Sequence, residues 1–156
     1  MTTGRLAAAA LSVLLVVVYA IGSGRWVSTG DAWYRQLSRP PWQPPDAVFG
    51  IIWPYNFVAL VAAGIVVSTS GSVAARAIWL AGLAASIVAA LAWARLFYAS
   101  NQLWPAAVAL IAATALTVPI VVAAFGVRTW AGAILVPYNA WLAIAASLAV
   151  GYAQRN

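Results

Sequence analysis

The chain contains no cysteine, no histidine and no lysine, and only two acidic residues, Asp31 and Asp46, among 156. Without cysteine there is no disulfide, thiol nucleophile or thiolate metal site, and without histidine no imidazole base or ligand. A haem enzyme is disfavoured on the same ground, since the commonest axial ligands are missing and the single methionine is Met1. Charge is equally scarce at 6%, against about 25% in an ordinary soluble domain. No buried carboxylate offers the proton relay of a usual proton-coupled transporter. The residues that are present are apolar: 65% of the chain, with a mean hydropathy of +0.95. A domain of this size exposes too much surface to hide that excess from water, which excludes both a soluble globule and a disordered chain. A small polytopic membrane protein remains, with the lipid bilayer as its first partner.

The net charge of +6 comes entirely from arginine. Nucleic-acid binding would call for a basic stripe. Instead Arg5, Arg25, Arg35, Arg39, Arg76, Arg95, Arg128 and Arg155 stand singly, mostly between apolar runs, as topology signals do. Arginine without lysine, beside abundant alanine, points to a GC-rich bacterial genome and so to a bacterial inner or plasma membrane.

A hydrocarbon core of about 30 Å needs roughly 20 apolar residues as a helix. Five stretches qualify, at about 6–21, 47–67, 77–98, 106–125 and 130–152. Lipid leaves a backbone no partner outside its own segment, so all five are expected to be helices. The expected fold is an all-α bundle of five transmembrane helices forming one domain over 1–156. The first span also has the make-up of a secretory signal, whose removal would leave four; its apolar run is at the upper end of a signal's length. Arg5, Arg76 and Arg128 fall on one side of the membrane and the other five arginines on the opposite side. The positive-inside rule then favours a cytoplasmic long loop and C-terminus.

Short links join the last four spans, as in a compact antiparallel bundle. The first connection, about 22–46, is long and carries four prolines, three tryptophans and both acids. A loop that long is usually functional. Ala81, Ala85 and Ala89 recur every fourth residue on the third span, beside Gly82. They are expected to pack inside the bundle, or else to form a dimer seam.

The nine tryptophans are the main anomaly. Trp79, Trp104 and Trp130 begin spans, where an interfacial belt accounts for them. Trp26, Trp33 and Trp42 lie in the long loop. Trp53, Trp93 and Trp141 lie inside apolar runs, the first two roughly 8–9 Å below the face that carries the loop. Phe57 follows Trp53 by four, Phe97 follows Trp93 by four, and Trp141 follows Tyr138 by three, so each pair shares a helix face. Such rings either fill the bundle interior or wall a site for a flat apolar ligand beneath the loop. Pro54, Pro119 and Pro137 fall within spans, where each removes a hydrogen bond and favours a kink. Arg95 is expected to snorkel to the interface, or to pair with Asp31, Asp46 or an acidic ligand group. Asn56 and Asn139 add polar contacts.

The stretch DAWYRQLSRPPWQPPDAVFGIIW, residues 31–53, resembles the W-Y-x-x-L-x-K-P-x-W-x-P-P signature of the TspO/translocator-protein family, the tryptophan-rich sensory proteins. TWAGAILVPYNAW at 129–141 is similar to that family's W-A-x-x-L-x-P-Y-x-x-W, and Trp93 with Phe97 and Tyr98 to its W-x-x-x-F-F. The resemblance implies a five-helix bundle, often a homodimer, retaining its first span. It implies a ligand site for porphyrins, other tetrapyrroles or sterol-like molecules, with no tightly bound cofactor and no metal. Trp33, Tyr34, Trp53, Phe57, Trp93, Phe97, Tyr138 and Trp141 occupy the matching ligand-binding positions. Some members are linked to light-dependent porphyrin breakdown, which makes Trp33 the candidate catalytic residue. The chain departs from the pattern at Ser86, Ala90 and Ala149, where the family carries amides, and at Pro54, Phe57 and Arg39. Its interior is therefore expected to be less polar than usual.

Overall fold

A computed structural model describes residues 2–156; Met1 lies outside the described residues. The chain is helical nearly throughout: α1 (Thr3–Trp26), α2 (Ala32–Gln36), α3 (Asp46–Ser70), α4 (Val73–Ala94), a π-helical turn (Arg95–Ala99), α5 (Leu103–Val127), α6 (Thr129–Ala133) and α7 (Val136–Arg155). Among the described residues, five helical segments are long and apolar enough to cross a membrane. The spans run longer than the hydropathy limits, because polar ends continue the helix into the interface. Only Gly71 and Ser72 separate α3 from α4. Ser72 caps α4 by accepting from the Ala75 N–H at 3.1 Å, and Arg76 donates back to the Gly71 carbonyl at 2.9 Å. At the other tight turn Asn101 adopts φ 55°, a left-handed conformation that asparagine tolerates better than most residues.

The helices pack in the order α3, α1, α4, α5, α7, with only slight contact between α3 and α7. In lipid there is no apolar drive to hold them, so close approach and interior hydrogen bonds must do so. One half of the bundle achieves this around Trp79. Its indole is fully buried, against the backbone of Gly64, where an added Cβ would come within 3.1 Å of the ring. Ser12 Oγ donates to the Ala8 carbonyl at 2.9 Å, so its lone pairs are free to accept from Trp79 Nε1 and from Ser68 Oγ, both at 3.1 Å. Helices α1, α3 and α4 are thereby tied at one point. Trp79 is thus not an interfacial anchor, whereas Trp104 and Trp130 are exposed as belt residues should be. Its place at a helix start revealed its depth but not the direction it faces.

Two further expectations need correction. Ala81 and Ala85 face outward, while Ala89 packs against the core and Gly82 against Ile120; the buried stripe of α4 is Trp79, Leu83, Ser86, Ile87, Ala90 and Ala94. Pro137 does not kink a continuous fifth span. The helix breaks at Ile134–Leu135, and Pro137 sits in the first turn of α7, where its missing N–H costs nothing. The Ile134 carbonyl freed by the break accepts a hydrogen bond from the Tyr55 hydroxyl at 2.9 Å. Pro54 and Pro119 do lie within helices.

Replacing Trp79 with alanine should cost ~3 kcal/mol or more, as emptying a buried ring site does. Trp104→Ala should stay within ~0.5 kcal/mol. Thermal melts of both variants followed by circular dichroism in one detergent test the difference.

Candidate functional site: an aromatic cavity beneath the first loop

At the opposite half of the bundle the helices stand apart around a cavity of about 440 Å³. Its walls come from α1, α3, the end of α4 and α7, with the first loop as roof; α5 contributes nothing and buttresses from behind. On α3 the wall is Phe49, Trp53 and Phe57, an i, i+4, i+8 stripe. Trp53 and Phe57 are stacked at 5.8 Å, and the Tyr19 ring meets both edge-on from the core side at 6.0 and 5.5 Å. On α7 the wall starts at Trp141 and rises through Ala145, Leu148, Ala149 and Tyr152, again one helical face. Phe49 meets Trp141 edge-to-face with ring centroids 5.1 Å apart, bridging the weakly packed α3–α7 side.

The third span supplies Trp93, Phe97 and Tyr98. In an α-helix a residue five after Trp93 would turn away from it. Here the π-helical turn, with Ser100 N–H donating to the Arg95 carbonyl five residues back at 3.0 Å, widens the helix and brings Tyr98 onto the same side. Tyr98 lies 4.8 Å from Phe97 and 6.0 Å from Trp93.

Polar groups are few and placed in layers. The indole N–H groups of Trp93 and Trp141 are enclosed by packing and not open to the cavity, and they have no hydrogen-bond partner among the described residues. Near the roof the Tyr152 hydroxyl donates to Gln43 Oε1 and lies 3.3 Å from the Tyr34 hydroxyl. At the rim stand Ser23, Thr29 and the carboxylate of Asp46. The wall below the rim carries no ionised group. Among the described residues no cluster of acids has the makings of a metal site.

Of the eight residues the sequence singles out, Tyr34, Trp53, Phe57, Trp93, Phe97 and Trp141 line the cavity. Tyr138 does not. It is closed into the core below Trp141, because the α7 wall climbs from Trp141 toward the roof and not down toward Tyr138. Trp33 is also outside the lining; its ring abuts the back of Phe97 at 5.7 Å. Phe49, Gln43, Tyr98 and Tyr152 complete the site; Tyr98 belongs to the stretch similar to the family's W-x-x-x-F-F, and none of the four is among the expected ligand-binding positions. Phe49 and Tyr152 follow from helical spacing relative to Trp53 and Trp141, whereas Tyr98 depends on the π turn, which no spacing rule reveals.

Arg95 is exposed, as a snorkelling residue would be, while Asp31 caps α2 and Asp46 opens α3. Asn139 is committed to the bundle, donating to Thr117 Oγ1 and to the Thr114 carbonyl, and so ties α7 to α5. Asn56 is fully buried, and both its amide atoms lack a partner among the described residues. Of the positions where amides are expected, Ser86 bonds its own helix at the Leu83 carbonyl, Ala90 lies in the core, and Ala149 presents a methyl to the cavity.

A family described as "TspO/MBR family" matches residues 10–155. The chain belongs to the TspO/MBR family. It is 29% identical over 140 residues to the tryptophan-rich sensory protein of Cereibacter sphaeroides, covering 86% of each chain. It is 32% identical over 121 residues to the translocator protein of Ovis aries, covering 76% of this chain and 72% of that one. Protein CrtK of Rhodobacter capsulatus is 25% identical over 148 residues, 88% of this chain and 90% of its own. With five apolar spans and bacterial relatives matched along nearly their whole length, this TspO/MBR member is a multi-pass bacterial membrane protein.

Proposed function

We propose that this TspO/MBR protein is a membrane-embedded binding protein (sensor, carrier or scavenger) for hydrophobic planar molecules such as porphyrins, other tetrapyrroles or sterol-like compounds. The observation that carries this is an aromatic-walled cavity beneath the loop, lined from three spans by Phe49, Trp53, Phe57, Trp93, Phe97 and Trp141. A pocket of this volume suits a drug-sized ligand. The edge-on and stacked rings of Trp53, Phe57, Phe97 and Phe49 offer flat surfaces to a flat guest. The pocket holds no ionised group at depth, so ligand charges belong at the rim and the body inside is neutral.

Titration of the purified protein with protoporphyrin in the dark should give saturable quenching of tryptophan fluorescence. The reading fails if quenching is unchanged in a Trp53→Ala, Trp141→Ala double variant. Trp93→Ala and Trp141→Ala should each weaken binding about five- to tenfold, the ~1–1.4 kcal/mol that one aromatic contact contributes. Tyr138→Phe should stay within about twofold, because its ring is shut off from the cavity. Porphyrin absorbance is the readout for these three, since it does not depend on the number of tryptophans left.

A second reading, light- and oxygen-dependent porphyrin degradation, draws on the contact between Trp33 and the cavity residue Phe97. It requires protein-dependent bleaching of protoporphyrin under illumination that disappears in Trp33→Phe. Quenching without bleaching leaves binding as the function.

A further inference from the structure

The loop over the cavity is fastened on one side. Its first limb, residues 27–31, is exposed throughout, with Val27 and Thr29 at the rim. Its second limb, Ser38–Gln43, lies on the last two turns of α7. The Ser38 N–H donates to Asn156 Oδ1 at 2.8 Å, while Asn156 Nδ2 returns a bond to the Ser38 carbonyl at 3.3 Å and holds the Tyr152 carbonyl at 3.0 Å. Pro40 and Trp42 press onto Gly151 so closely that a Cβ there would lie 2.8 Å from Pro40 Cγ and from Trp42 Cζ2. The Trp42 indole donates to Ser147 Oγ at 3.3 Å and lies under the Arg155 guanidinium at 4.8 Å. That guanidinium is itself held by the Gly151 carbonyl at 3.0 Å. Ser147, Gly151 and Arg155 are spaced by four along α7, and Tyr152 and Asn156 form the adjoining row.

This strip of α7 continues directly into the cavity wall, because Tyr152 grips Gln43 and Tyr34 from inside. We propose that the end of α7 is a latch that holds the second limb of the loop down as the roof of the cavity and sets how long a ligand stays. Gly151, Arg155 and Asn156 are its positioning residues: they fix the loop that covers the site and touch no ligand. Gly151 gives Pro40 and Trp42 their seat, the Arg155 cation–π contact clamps the indole, and the reciprocal Asn156 pair pins the backbone at Ser38. The consequence for ligand residence rests on the binding function proposed above; the fastening itself does not.

The test uses the full chain in phosphatidylcholine nanodiscs, with Asn156→Ala, Arg155→Ala and Gly151→Leu. Hydrogen–deuterium exchange, measured without ligand over residues 37–43, should speed up at least tenfold in each variant. Protoporphyrin release, followed by stopped flow, should speed up at least fivefold. Gly151→Leu risks the fold; Asn156→Ala changes only an exposed side chain and keeps the test decisive. Unchanged exchange over 37–43 in Asn156→Ala and Arg155→Ala overturns the latch. Faster exchange with unaltered release overturns its control of the ligand. Should the parent protein bind no protoporphyrin, the binding function fails, and the exchange measurement alone still decides whether α7 fastens the loop.

Discussion

The seating of Trp79 against Gly64 and Ser12 is the contact on which the rest of the bundle depends. Lipid tails are as apolar as any core side chain, so helices meet here only where small residues let them approach or where a polar group has no better partner. Both conditions coincide at this point: a glycine opens a slot, and a serine with free lone pairs accepts the indole proton. With α1, α3 and α4 joined there, the loop-side half is free to do the opposite. Phe49, Trp53, Phe57, Trp93, Phe97 and Trp141 are too large to interdigitate at one level, and they hold α1, α3, α4 and α7 apart. The cavity is therefore a product of side-chain size graded along the membrane normal, tight at one end and ring-propped at the other.

Much of this is legible in the sequence because membrane spans leave few choices. Span length, the abnormal first loop, and the α3 and α7 stripes all follow from hydropathy and helical spacing. Depth, too, is readable from residue count. Direction is not. Every helix has lipid on one side and protein on the other, and both sides are apolar, so hydropathy carries no phase. That is why the small stripe of Ala81 and Ala85 faces outward when Trp79, two residues before Ala81, faces in. Tyr138 shares a helical face with Trp141, yet falls on the core side of the cavity floor, one turn away. The departure from α-helical geometry at Arg95–Ala99 is a third case, since it is set by the surrounding tertiary packing and has no local sequence signal of its own.

The family amides missing at Ser86, Ala90 and Ala149 change where hydrogen bonding can occur. Ser86 is satisfied by its own helix, and Ala149 offers only a methyl. The indole N–H groups of Trp93 and Trp141 do not compensate, because both are enclosed by packing and not open to the cavity. The wall at that level is correspondingly apolar, and an unpartnered polar group placed against it costs free energy.

The polar groups of the site are found near the loop, at Gln43, Tyr34, Tyr152 and Asp46. Tyr152 stands at the junction, a residue of α7 whose hydroxyl is already engaged with Gln43. Tyr34 of the roof also meets Phe97 and Tyr98 of the wall, with ring centroids 6.3 and 5.7 Å apart, so the loop is tied to the cavity by rings as well as by that hydroxyl.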